Sequence, residues 1–387
     1  ALSTFVQEGF SGIRVLKAYA KEDAWAAAFD RETEEYKKTS LDLVQIQAVF
    51  FPSMVILIGL STILTVYVGG KQAIAGNITT GNIAEFIIYI NMLTWPVAAI
   101  GWITSIIQRA AASQTRINEF LDTKPEIVNT VELPSSVDGT IRFDNVEFVY
   151  PDSGIKALND VSFEVKQGES LAILGRTGSG KSTIASLITR TYDSTKGNVQ
   201  VDNQDIERLN LTSLRSNIGY VPQDVFLFSD TIAENIAFGI AEEDISRDRV
   251  HEAAKQADIY DNIIDFPEGF DTHVGERGIT LSGGQKQRIS IARAIIRNPK
   301  ILIFDDCLSA VDTETEEKIL GHLQDLMKGK TTVIISHRIS SVKHADQIIM
   351  LDEGKIVERG NHESLVNAGG HYQSLYEKQL LEEDQRG

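Results

Sequence analysis

Two stretches dominate the polarity pattern: from Leu43 to Gly70, and again from Phe86 to Gln108, no charged residue occurs. Each run exceeds the ~20 residues that a helix needs to cross the apolar core of a bilayer. The pattern therefore predicts two spanning helices, at about 43–70 and 83–108, with kinks where Pro52 and Pro96 free backbone carbonyls. The loop between them, Gly69 to Asn82, holds only Lys71, whereas Lys37 and Lys38 precede the first run and Arg109 and Arg116 follow the second. Because Lys and Arg gather on the cytoplasmic side, both outer flanks are expected there. The chain then reads as a multi-pass cell-membrane protein whose remaining residues face the cytoplasm.

A helical pattern continues past Arg116 to Leu121, and Asp122 to Gly139, with Pro125, Pro134 and the Ser135-Ser136 pair, reads as a linker. Beyond it the period changes. Short apolar runs near 141, 160, 170, 198, 217, 300, 331 and 346 predict strands, interrupted by helical patterns. Ile301 to Asp305 and Thr332 to Ile335 are nearly continuous apolar runs, as expected of parallel strands buried on both faces. This is an all-α transmembrane portion, 1–123, a linker, 124–139, and an α/β domain, 140–387, with a sheet and an inserted helical subdomain at about 224–292.

Charge removes one class of partner. The net charge of -17 divides into about -2 for residues 1–123 and about -15 beyond, which opposes attraction to a phosphate backbone, so nucleic acid is not expected as a partner. The one cysteine, Cys307, cannot form an intrachain disulfide and is expected as a thiol packed under a strand.

The chemistry is concentrated in the α/β part. Gly175, Arg176, Thr177, Gly178, Ser179, Gly180, Lys181 and Ser182 fit G-x-x-x-x-G-K-[ST], with Ser170 to Leu174 as a strand before and Thr183 to Thr189 as a helix after. Such a loop aims backbone N–H groups at phosphate oxygens. Its lysine reaches the β- and γ-phosphates and its serine offers a hydroxyl to Mg²⁺. The phosphates would also lie at a helix N-terminus. Asp305 ends an apolar strand at the carboxyl edge of the sheet, where a carboxylate can hold Mg²⁺.

About a hundred residues after that loop, Leu281-Ser282-Gly283-Gly284-Gln285 matches the LSGGQ signature, and with it the chain resembles the nucleotide-binding domain of ABC transporters. In that family the signature of one domain closes on the γ-phosphate held by another, so two domains sandwich two nucleotides. The resemblance implies further roles. Tyr150 would stack on adenine, Gln223 would be the Q-loop glutamine that touches Mg²⁺, and Asp305 would be the Walker B aspartate. Ser309 to Asp312 would be the D-loop, and His337 the switch histidine on the γ-phosphate. ATP and Mg²⁺ are the implied cofactors, held by these residues together with Thr183, Ser282, Gly283, Gly284 and Gln285.

One position departs from the family. Active members usually carry glutamate after the Walker B aspartate, and this chain has Asp306. Its carboxylate would be withdrawn by about one C–C bond from the attacking water, and a misplacement near 1 Å can cost on the order of 100-fold. Binding of ATP is expected to survive while hydrolysis slows. This resembles the degenerate subunit of a heterodimeric exporter, a regulatory alternative to a hydrolysing homodimer.

Gln7 to Tyr19 resembles the cytosolic turn between the fourth and fifth transmembrane helices of type I ABC exporters, which carries a coupling helix. Thr272 to Gly278 resembles the exporter X-loop. The implied molecule is an exporter half-transporter of the multidrug or lipid type, lacking its first spans at the N-terminus. It would work with a second half, in contact with membrane lipid, on a lipid, drug or peptide-like substrate. A soluble ABC ATPase is the remaining alternative, opposed by the two apolar runs.

Overall fold

The computed structural model describes residues 2–275, 278, 281–307, 321 and 326–384. The chain divides into two compact units, Ala1–Lys124 and Pro125–Gly387.

In the first unit, short helices α1 (Leu2–Ser11) and α2 (Ile13–Ala18) precede two long ones, α3 (Glu22–Ile74) and α4 (Thr80–Leu121). Gly9 is the buried residue of α1, because a Cβ there would press on the indole of Trp25, which in turn stacks on Phe5 with ring centroids 4.3 Å apart. That aromatic pair fastens α1 to the start of α3. The helices run without interruption through Pro52 and Pro96, and both extend well beyond the expected spans, since the charged flanks 22–42 and 109–121 are helical too. Both helices are long and apolar enough to cross a membrane, and their apolar stretches are exposed along their length. Trp95, for example, is 75% exposed.

The second unit contains two sheets rather than the one expected. An antiparallel sheet is formed by β1 (Ile141–Val149), β2 (Lys156–Val165), β4 (Lys196–Val201) and β5 (Gln204–Asp205), in the order β2-β1-β4-β5. The other sheet contains β3 (Ser170–Gly175), β6 (Ile218–Val221), β7 (Ile301–Asp305), β8 (Thr331–Ile335), β9 (Gln347–Asp352) and β10 (Lys355–Gly360). Its order is β10-β9-β3-β8-β7-β6, parallel throughout except for the antiparallel edge strand β10.

Alternation along the parallel strands explains the layering. Leu171, Ile173, Ile301, Ile303, Val333 and Ile335 share one core with the antiparallel sheet and with Ile184 and Ile188 of helix α5 (Lys181–Ile188). Their neighbours Ala172, Leu174, Leu302, Phe304 and Ile334 point the other way, into a second core. Full burial of each such Leu, Ile or Phe contributes about 1.5–3 kcal/mol, which is why these strands carry no polar face. Cys307 is buried in that second core.

Helix α6 (Leu211–Ser216) leads into β6, and the inserted helices α7 (Ile232–Ala237), α8 (Arg247–Gln256), α9 (Tyr260–Ile264) and α10 (Gly283–Ile295) pack on that second core. The chain closes with α11 (His362–Val366) and α12 (His371–Asp384). The segment expected as a linker is stitched to this unit from Pro125 onward. Asn210 Nδ2 donates to the Val131 carbonyl, the Asn210 N–H donates to Ser135 Oγ, and the Asp202 carboxylate accepts from the backbone N–H groups of 138, 139 and 140.

Candidate functional site

The sheet order decides the site. Strands β3, β8, β7 and β6 lie side by side and parallel, so the loops leaving their carboxyl ends emerge in one row, where open α/β sheets bind ligands. In that row stand the loop 175–180, Ser336-His337, Asp305-Asp306 and Gln223.

The loop turns into α5 at Gly180, whose φ of +100° is a left-handed conformation and whose hydrogen faces the Ala157 carbonyl, where a Cβ would collide. Gly180→Ala is expected to lower ATP affinity at least 10-fold and to lower the melting temperature, since such strain costs about 1–3 kcal/mol. Isothermal titration with a non-hydrolysable ATP analogue, beside a melting curve, checks both. Ser179 Oγ is buried without a hydrogen-bond partner among the described residues. Lys181 Nζ donates to the carbonyls of Gly175 and Arg176, 2.8 and 2.9 Å away, and its burial holds its pKa below the usual lysine value.

Ser182 Oγ donates to Asp305 Oδ1 at 3.0 Å, bringing a hydroxyl and a carboxylate together as oxygen ligands that suit Mg²⁺. Asp305 is 2% exposed, and burial pushes its carboxyl above the usual range, against the opposing hydrogen bond from Ser182. A buried carboxylate so raised is one that a cation would relieve. Sequence reasoning missed Tyr220, whose hydroxyl donates to Asp305 Oδ2 at 3.5 Å and whose burial pushes its own pKa up to about 12. It reaches Asp305 because β6 sets it directly beside Ile303 of β7, a pairing that the sequence does not signal.

Asp306 is held between the two other expected residues. His337 Nδ1 lies 2.8 Å from Asp306 Oδ1, and Gln223 Nε2 donates to Asp306 Oδ2 at 3.4 Å. The backbone of Asp306 has φ +45° and its N–H donates to the Ile335 carbonyl at 2.8 Å, which ties the residue to the end of β8, two positions before His337. Gly175, Arg176, Thr177, Gln223, Asp306 and His337 line one cavity.

Tyr150 and the signature, like Lys181, Ser182 and Asp305, are not among the described residues that line that cavity. The hydroxyl of Tyr150 pairs with Thr183 Oγ1, in the first turn of α5, at 3.0 Å, and its ring meets Tyr192 edge-on with centroids 5.6 Å apart. Ser282 caps α10 by accepting from the Gln285 N–H, while the Gln285 side chain accepts from the Ser282 N–H at 2.9 Å. Gly283 and Gly284 form the first turn of that helix, and no signature residue is among the described residues lining the cavity. The D-loop at 309–312, and Glu276 and Arg277 of the X-loop segment, lie outside the described residues.

Comparison with known proteins decides the family. A model of the ABC transporter transmembrane region matches residues 1–97, and a model of the ABC transporter ATPase region, described simply as ABC transporter, matches 158–309. The chain belongs to the ABC transporters. It is 39% identical over 382 residues to the multidrug resistance-like ATP-binding protein MdlA of Escherichia coli, covering 99% of this chain and 64% of that protein. It is also 39% identical over 386 residues to an ATP-dependent lipid A-core flippase of Syntrophus aciditrophicus, covering 99% of this chain and 63% of the flippase. The solved structure of a bacterial Atm1-family ABC exporter with ATP bound superposes with a TM-score of 0.88 at 34% identity, over 97% of this chain and 66% of the exporter. This chain therefore spans somewhat under two thirds of such relatives, with the ABC exporter fold: an all-helical transmembrane part followed by an ATP-binding P-loop domain.

Proposed function

We propose that this chain supplies the ATP-hydrolysing machinery of one half of a membrane exporter, and that its own composite site turns over slowly. The observation that carries the reading is the row at the carboxyl edge of the parallel sheet, where Ser182 meets Asp305 and where Gln223 and His337 converge on Asp306. Lys181 and the loop amides would grip the phosphates, the lysine exchanging two carbonyl acceptors for more strongly accepting anionic oxygens. Ser182 and Asp305, with Gln223 at hand, would hold Mg²⁺, which when bound neutralises charge gathering on the phosphate oxygens. Asp306 would orient the attacking water and His337 the γ-phosphate side. Tyr150, bonded to Thr183 in the first turn of α5, would offer an aromatic surface to adenine.

Ser282 to Gln285 would complete the corresponding site of a second half-transporter, because a helix N-terminus with a polar cap presents N–H groups to an anion. The exposed apolar lengths of α3 and α4 suit contact with lipid and with further transmembrane helices. The relatives named for multidrug resistance and lipid A-core flipping support a lipid, drug or peptide-like substrate, with the ATPase domain in the cytoplasm.

The test is vanadate-sensitive phosphate release by the full-length assembly reconstituted in lipid. Turnover above a Lys181→Ala control is expected; equal rates, with every candidate second half supplied, would remove the enzymatic reading. Asp306 favours a second reading, a regulatory subunit that keeps ATP bound while the other half hydrolyses. Purified full-length homodimer hydrolysing at an unimpaired rate would remove it.

A further inference from the structure

From the C-terminal helix we infer that Gln379 is a positioning residue for the switch histidine, and that α12 acts as a strap fixing where His337 stands over the nucleotide cavity. The inference rests on the role proposed above for His337. Both ends of the Gln379 amide are committed to the loop after β8: Nε2 donates to the His337 carbonyl at 2.7 Å, and Oε1 accepts from the Ile339 N–H at 2.8 Å. A residue 42 positions away thus bridges the backbone on either side of Arg338. Fixing both backbone groups leaves the His337 ring a narrow choice of direction, and that direction is the one facing Asp306.

The strap is itself anchored at its other end. Glu358 on β10 accepts from the His371 and Tyr372 N–H groups, a carboxylate at a helix N-terminus. Tyr372 is fully buried, and its hydroxyl meets His362 Nδ1 at 2.7 Å. Gln379 lies seven residues beyond Tyr372, two turns along the same face, with the part-buried Leu375 and Tyr376 between them. That face is apolar until it reaches Gln379, the position where it meets the loop. Lys378 and Gln379 also line the cavity that holds Asp306 and His337. Displacement of α12 would therefore release the histidine from its register.

Steady-state phosphate release and affinity for a non-hydrolysable ATP analogue are to be measured on the reconstituted full-length assembly. Gln379→Leu, which removes both bonds, is expected to lower kcat about 10-fold with KM and analogue affinity unchanged, since a small misplacement of a reacting group acts on the chemical step. Gln379→Glu keeps the acceptor for Ile339 but sets a carboxylate against the His337 carbonyl, and should fall nearly as far. Glu377→Ala, on the exposed side of the same helix, should leave both parameters alone. In His337→Ala the further change Gln379→Leu should cost nothing more, because the two act as one unit.

The arms separate the failures. A His337→Ala protein with undiminished turnover overturns the reading of the site. An inactive His337→Ala protein beside fully active Gln379 variants overturns only the strap. Parallel loss of analogue affinity and turnover in both Gln379 variants assigns the residue to folding and also overturns the strap.

Discussion

Asp306→Glu is expected to raise phosphate release at saturating Mg·ATP by about 100-fold wherever this chain's own site limits turnover, leaving ATP affinity within a few-fold of the parent. The reasoning is one of reach. Asp306 already has its carboxylate between His337 and Gln223, 14% exposed, so its surroundings are assembled, and on the proposed reading what it lacks is one methylene of length. One more methylene advances the oxygens by roughly a C–C bond toward a water in front of the cavity, and a correction of that size is worth on the order of 100-fold in rate. The backbone φ of +45° is one that aspartate tolerates better than glutamate, so the variant should melt slightly lower, by an amount on the order of 1 kcal/mol. Faster turnover in a less stable protein cannot come from general stabilisation. A rate equal to or below the parent's would show that Asp306 is sufficient and that the site is not a slow one.

Lys181→Ala should act in the opposite sense and further, with hydrolysis falling about 1,000-fold and analogue affinity falling with it. Charge-assisted hydrogen bonds contribute about 1.5–3 kcal/mol each, and a donor aimed at charge that grows in the transition state about 3–4 kcal/mol. Without a ligand the ammonium is already desolvated, held by two carbonyls 2.8 and 2.9 Å away in a position that burial makes costly for a charge. Its removal should therefore cost little stability or even raise it. The paired measurement is a melting curve without nucleotide beside phosphate release with it. Retained hydrolysis in a well-folded K181A protein would place the phosphates elsewhere.

Most of the frame was legible because its determinants are local. Continuous apolar runs marked β3, β7 and β8, and the serine and glutamine of the signature mark a capping box wherever they open a helix. The partition into two sheets was not legible, since the order β2-β1-β4-β5 depends on pairings between strands up to about 60 residues apart. The hairpin of β9 and β10 escaped because β10 is polar and half-exposed, although Glu353 and Gly354 turn the chain at φ +44° and +75°. The contacts of Tyr220 and Gln379 were invisible for a related reason. A lone polar residue at an ordinary place in a strand or helix gains its meaning only from what lies across the fold.

The 53 residues of α3 carry a mechanical consequence. At 1.5 Å per residue the rod measures about 80 Å, of which a bilayer core holds only about 30 Å. A tilt of about 5° about one tip carries the other by roughly 7 Å, since displacement is the arm times the angle in radians. Gly9 and Trp25 sit near the N-terminal tip of that lever, so a small displacement where α1 packs on α3 would be geared up into an ångström-scale stroke at the far end of the same helix.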